Sequence, residues 1–270
     1  MTTERSTVPT ITAPSRSPIA VLAAVAAALV AAFVVAPPAL AGVGSDADLG
    51  DERRLTDAFR AAFVGYWRSG DRDLPPDLQS VVDYWFCFHV VKAVVAALLL
   101  IVLVALGAKL WKAFPRSGNR VVVAAAGVFV TLFALLALAT VMANVQGAAA
   151  PFASLLPMLV DGPVDGPVDG DLAGTLEQVR QQLAAGGPVS PAVDVMVDDF
   201  ARYHAAMVVI ATIVAVGLVG AAVVLWRRSH RVFAALFALV TVLVTVVAVA
   251  NAGTAADPAP ALLAFFEGGW

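Results

Sequence analysis

The residues best suited to chemistry in this chain are two histidines, each preceded by an aspartate and followed at a distance by an asparagine. Asp83 stands six positions before His89 and Asp198 six before His204, while Asn144 and Asn251 close the apolar run that comes after each pair. Imidazole can ligate a metal or haem, or titrate near neutral pH. Six residues of helix turn through about 600°, so the Asp and His of one pair do not share a helix face. No HExxH, no CxxC, no second thiolate and no cluster of inward carboxylates accompanies them. His, Asn, Tyr and Trp are also ordinary residues at a lipid headgroup boundary. Tyr84, Trp85, Phe88 and Tyr203 read as such a belt, matched by Trp111 and Trp226 at the opposite boundary. A haem or metal held by His89 and His204 is therefore the sharper reading and a boundary role the plainer one; no cofactor is expected.

Little else offers a reaction. The single cysteine, Cys87, excludes an intramolecular disulfide and sits in an apolar run where a thiol is packing rather than a nucleophile. Lys92 is the one charge that falls inside a span, one turn past His89, and Met207 stands at the matching place later in the chain. No phosphate loop, nucleophile elbow or paired catalytic carboxylate is present. The expectation is a protein that is not an enzyme.

The elements that must carry these residues are membrane helices. Of 270 residues, 60% are hydrophobic and 14% charged, with a mean hydropathy of +0.87; a soluble domain is roughly half apolar and a quarter charged. No basic stripe tracks a phosphate backbone, which argues against nucleic acid. Four apolar runs, 85–110, 121–143, 205–225 and 232–250, approach or exceed the roughly 20 residues a helix needs to cross about 30 Å of hydrocarbon. A fifth, 19–35, follows Arg5 and Arg16 and ends before Ala39-Leu40-Ala41, a small-x-small pattern. Residues 1–41 are thus a cleaved signal peptide or an uncleaved anchor. Lys109, Lys112, Arg116 and Arg120 fill one short loop and Arg227, Arg228 and Arg231 another, so both belong in the cytoplasm. The acidic loops and the tail ending at Trp270 then lie outside it, in a multi-pass protein of the cell membrane.

Subtracting positions reveals an internal repeat. Pro76 and Pro191, Asp83 and Asp198, His89 and His204, and Trp111 and Trp226 all differ by 115; Arg120 and Arg227, Asn144 and Asn251, Pro151 and Pro258, and Leu155 and Leu262 differ by 107. One loop deletion between copies accounts for the change of offset. Residues 42–160 form one copy and 161–270 the other. Each reads as an outer amphipathic helix, a proline-started helix into the membrane, a basic turn, a returning helix and a short apolar outer segment. Equal orientation predicts an all-α fold with a pseudo-two-fold, four-helix core under a small helical cap. In the first copy Leu55, Phe59, Phe63, Tyr66 and Trp67 form the apolar stripe of the outer helix, with Arg53, Asp57, Arg60 and Arg68 opposite. In the second, Thr175 and Gln178 resemble a capping box, Leu176, Val179 and Leu183 form the stripe, and Gly186-Gly187-Pro188 stops the helix. The Asp-Gly-Pro run of 160–171 reads as a flexible spacer, its aspartates four apart, unlike the alternate ligands of an EF-hand.

Three functions compete. The first is a non-enzymatic accessory or scaffold subunit of an envelope complex, whose partners are the lipid bilayer and other membrane subunits. The second is a redox or metal-handling protein using His89 and His204. The third is a small transporter for a neutral solute, since beyond Lys92 the spans lack the ionisable groups that mark proton-coupled or ion pathways.

Overall fold

The computed structural model describes residues 17–43, 49–160, 167–187 and 189–269. Arg5, Arg16, the first part of the Asp-Gly-Pro run, Pro188 and Trp270 lie outside the described residues. Among those described there is no strand. Five helices are long and apolar enough to cross a membrane: α1 (Pro18–Ala41), α3 (Pro76–Ala113, extended by a 3-10 turn at Phe114–Arg116), α4 (Arg120–Ala149), α8 (Pro191–Arg227) and α9 (Arg231–Ala256). The shorter helices are α2 (Glu52–Ser69), α5 (Pro151–Leu155), α6 (Pro157–Val160), α7 (Pro167–Ala184) and α10 (Pro258–Phe266).

Local sequence explains most of these boundaries. Pro76 and Pro191 occupy the first turn of α3 and α8, where a missing N–H costs nothing, and the Ser190 hydroxyl accepts from the Val193 N–H. Asp51 caps α2 by accepting from the N–H groups of Arg53 and Arg54 at 3.1 Å. Gly70 and Gly186 end α2 and α7 in the left-handed conformation. At 38 residues α3 is about 57 Å long, so with α8 it overhangs a 30 Å hydrocarbon slab by several turns.

Two expectations are corrected. Thr175 is no cap: α7 begins at Pro167, two turns earlier, and Thr175 is buried within it. The last part of the Asp-Gly-Pro run is accordingly the first turn of a helix, started by a proline as α3 and α8 are.

The helices pack in a row, α1 against α3, α3 against α4, α4 against α8 and α8 against α9. The overhanging starts of α3 and α8 meet α2, α5, α6, α7 and α10 at one end. There they form the largest core of the molecule, with Phe59, Phe63, Tyr66, Leu78, Leu155, Val193, Met196 and Leu262 fully buried. This cap is where burial from water stabilises most, at about 1.5–3 kcal/mol for each large side chain. Between the apolar helices no such driving force acts, and close packing and hydrogen bonds must serve. Tyr84, expected in a lipid belt, belongs to the cap core, while Trp85, Phe88 and Tyr203 pack against it. Arg60, expected on the polar face of α2, is buried and donates from Nε to the Met158 carbonyl at 2.9 Å. Arg180 of α7 does the same to the Phe266 carbonyl, also at 2.9 Å.

Candidate functional site

Each predicted histidine is joined to the predicted asparagine of its own hairpin. On α3 and α4, His89 Nδ1 lies 3.0 Å from Asn144 Oδ1; on α8 and α9, His204 Nδ1 lies 2.8 Å from Asn251 Oδ1. The proton positions follow from the carboxamides. Asn144 Nδ2 donates to the Thr140 carbonyl and Asn251 Nδ2 to the Val247 carbonyl, both at 2.8 Å, which turns each Oδ1 toward its histidine. A carboxamide oxygen only accepts, so the network assigns the hydrogen of each imidazole to Nδ1.

Aromatic rings wall both histidines in the same way. Trp85 stands edge-on to His89 with centroids 4.8 Å apart, and Phe200 to His204 at 4.6 Å; Phe88 and Tyr203 take the adjoining side at 5.9 and 5.4 Å. Trp85 is held in turn by donating to the Ser154 hydroxyl at 2.8 Å.

The two sites differ at Nε2. In the first, that nitrogen is buried without a hydrogen-bond partner among the described residues, and the backbone of Gly147 passes beside it. A Cβ at Gly147 would stand 2.7 Å from Nε2, inside van der Waals contact. Both edges of the His89 ring are therefore occupied, Nδ1 by Asn144 and Nε2 by the α4 backbone. The position 107 residues after Gly147 is Thr254, which carries a side chain where the first copy has none.

The aspartates are placed elsewhere. Asp83 is exposed and accepts from Gln79 Nε2 at 2.7 Å. Asp198 is exposed and pairs with Arg72 at 3.2 Å, and Asp194 binds the same guanidinium. The described residues contain no group of three or more His, Cys, Asp or Glu able to hold a metal. Lys92 extends its Nζ over two rings, 4.5 Å from the Phe88 centroid and 5.2 Å from that of Phe33 on α1.

Several contributors were not foreseen. Asp199, 7% exposed, accepts from the Ala153 N–H at 2.8 Å and from Arg202 at 2.9 Å, tying the start of α5 to α8. Its match in the first copy is Tyr84, so no repeat drew attention to it. Gln146, two residues past Asn144, donates to the Tyr203 carbonyl at 3.1 Å, so α4 carries one His–Asn pair and touches the backbone beside the other. Across the cap, Trp67 Nε1 donates to Gln178 Oε1 and Arg68 pairs with Asp171, both at 2.8 Å, joining α2 to α7. Comparison with protein-family models, with curated proteins and with solved structures finds no match to this chain.

Proposed function

We propose that this chain is a non-enzymatic accessory or scaffold subunit of a membrane complex, built from a duplicated unit of cap helix and transmembrane hairpin. The duplication is supported by the matched His–Asn pairs and by the fully buried Leu155 and Leu262. The Lys and Arg residues at the two hairpin turns support a topology with that end in the cytoplasm and the cap on the other side of the cell membrane.

The observation that carries the scaffold reading is an uncovered helix face at the end of the row. Met142 on α4 is 7% exposed because α8 packs over it. Its counterpart on α9, 107 residues later, is Val249, which is 67% exposed. Leu138, which packs in the same cluster as Met142, has its counterpart in Thr245, which is likewise exposed. The occupant this face suits is an apolar transmembrane helix of a partner subunit, docking on α9 as α8 docks on α4. Small side chains on this face, such as that of Thr245, permit the close approach on which helix association in lipid depends.

The test is purification in mild detergent with native mass determination, combined with a photo-crosslinking residue at Val249 and, as control, at Ile101 on α3, which like its repeat match Val216 is uncovered in both halves. A stoichiometric larger complex with crosslinks from 249 and none from 101 is expected. A monomer carrying only lipid, or crosslinks only to a second copy, would overturn the reading.

A further inference from the structure

One face of the first helix packs against the molecule from Ile19 to Ala41, while the rest of its surface is open. Ala26, 8% exposed, packs in one cluster with Leu99, Leu103 and Leu106 of α3. Further along, Phe33 lies beneath the Lys92 ammonium. At the capped end Pro37 is fully buried and Ala41 belongs to the cap core. Residues 39–41, which fit a signal-peptidase site as a string of letters, form the last turn of a helix, closed by the Gly42 N–H donating to the Pro38 carbonyl at 3.3 Å. At that bond Ala41 is buried in the cap core and the Gly42 N–H is hydrogen-bonded, while Ala39, Leu40 and Val43 around it are exposed.

The place that α1 occupies has a counterpart. Lys92 and Met207 differ by 115, as do Ala96 and Ala211 and Leu103 and Leu218. Both alanines are wholly buried. On α3 this face carries Lys92 toward Phe33 of α1; on α8 it carries Met207 and Ala211 into a cluster with Met142 and Leu138 of α4. Each entering helix is therefore backed by the spanning helix before it, α3 by α1 and α8 by α4. We infer that α1 is a permanent fifth span, with the bond after Ala41 uncut in the mature protein, filling on α3 the position that α4 fills on α8. Without it Lys92 would lose an aromatic partner, and the α3 face would be bare where that of α8 is covered.

Two measurements test this, and neither depends on a partner subunit being found. The intact mass of wild-type protein, purified from membranes of a host with signal peptidase and analysed under denaturing conditions, is expected at the full 27.8 kDa within one methionine. A chain beginning at Gly42 would overturn the inference. For the packing, benzoylphenylalanine is placed at Phe33 and a site-specific protease sequence is inserted at 44–48. After irradiation in the membrane and digestion, the α1 fragment should migrate joined to the rest on a denaturing gel, with the crosslink mapping to α3 around Lys92. A fragment that always migrates alone would count against α1 lying on α3, whatever the mass shows.

Discussion

Gly147 and Asn144 hold His89 from two sides, and each makes a measurable demand. Substituting Gly147→Ala drives a methyl group to 2.7 Å from Nε2, and the ring cannot retreat without breaking its bond to Asn144 or its contact with Trp85. Overpacking of this kind costs about 1–3 kcal/mol, read as a lowered thermal midpoint in detergent. Gly253→Ala, inside α9 with nothing within 4 Å of the added atom, should hold or raise the midpoint, since alanine favours a helix by about 0.5–1 kcal/mol over glycine. The hydrogen bond itself is accessible through a double-mutant cycle of His89→Ala and Asn144→Ala. Side-chain hydrogen bonds between membrane helices couple by about 0.6 kcal/mol and at most about 1.7; a coupling near zero would mean the pair is not formed. Position subtraction was enough to name the histidines and asparagines, because a repeated residue advertises itself. It gave no account of which partners they choose. Asp83 and Asp198 repeat just as faithfully and lie on the surface, whereas Asp199, which repeats nothing, is the buried one.

The cap helices respond to charge and pH. Asp199 satisfies the Ala153 N–H at the first turn of α5, and Asp199→Ala would strand that donor in a buried site. The expected loss is about 1–3 kcal/mol, with the cap gaining protease sensitivity before the spans do. Tyr66 is walled off within α2, and burial pushes its hydroxyl up to about 12 from the usual 10. The unfolded chain therefore gives up this proton first. Stability is unaffected below pH 10 and falls as pH climbs from 10 toward 12, since the native state holds the proton the unfolded state has lost. Denaturant melts across that range should show the decline in wild type and a shallower one in Tyr66→Phe. The apolar stripe of α2 was legible because its 3.6-residue period is strict from Leu55 to Tyr66. The start of α7 was not, because Thr175 and Gln178 have capping-box spacing while the true first turn lies among residues that read as turns. Gln178 is instead committed to Trp67.

Over the whole molecule, hydropathy alone located the five apolar helices to within a turn or so at their basic ends. Their order in space was beyond it, since an apolar side chain facing lipid and one facing a helix carry the same letter. Val249 and Met142 illustrate this: both are apolar and matched in the repeat, yet one is open and the other covered. Sidedness can be tested directly. In a C87A background, cysteines at Ser117 and Ser229 in the basic turns should react with an impermeant thiol reagent only in inside-out vesicles, and one at Asp73 only in intact cells. The same side for all three would refute the assignment of cap and turns to opposite faces.

The length of α3 and α8 has a mechanical consequence. Both run unbroken from the cap core to the basic turns, and prolines stand only at their first turns, where they cause no kink. A rod of about 57 Å pivoted through 5° at one end sweeps about 5 Å at the other. Arg72, reaching from the α2–α3 connection to Asp194 and Asp198 on α8, ties the upper ends of both rods together. A small tilt imposed at the cap end of either rod thus becomes a larger displacement at its far end, where Lys112 and Arg227 stand.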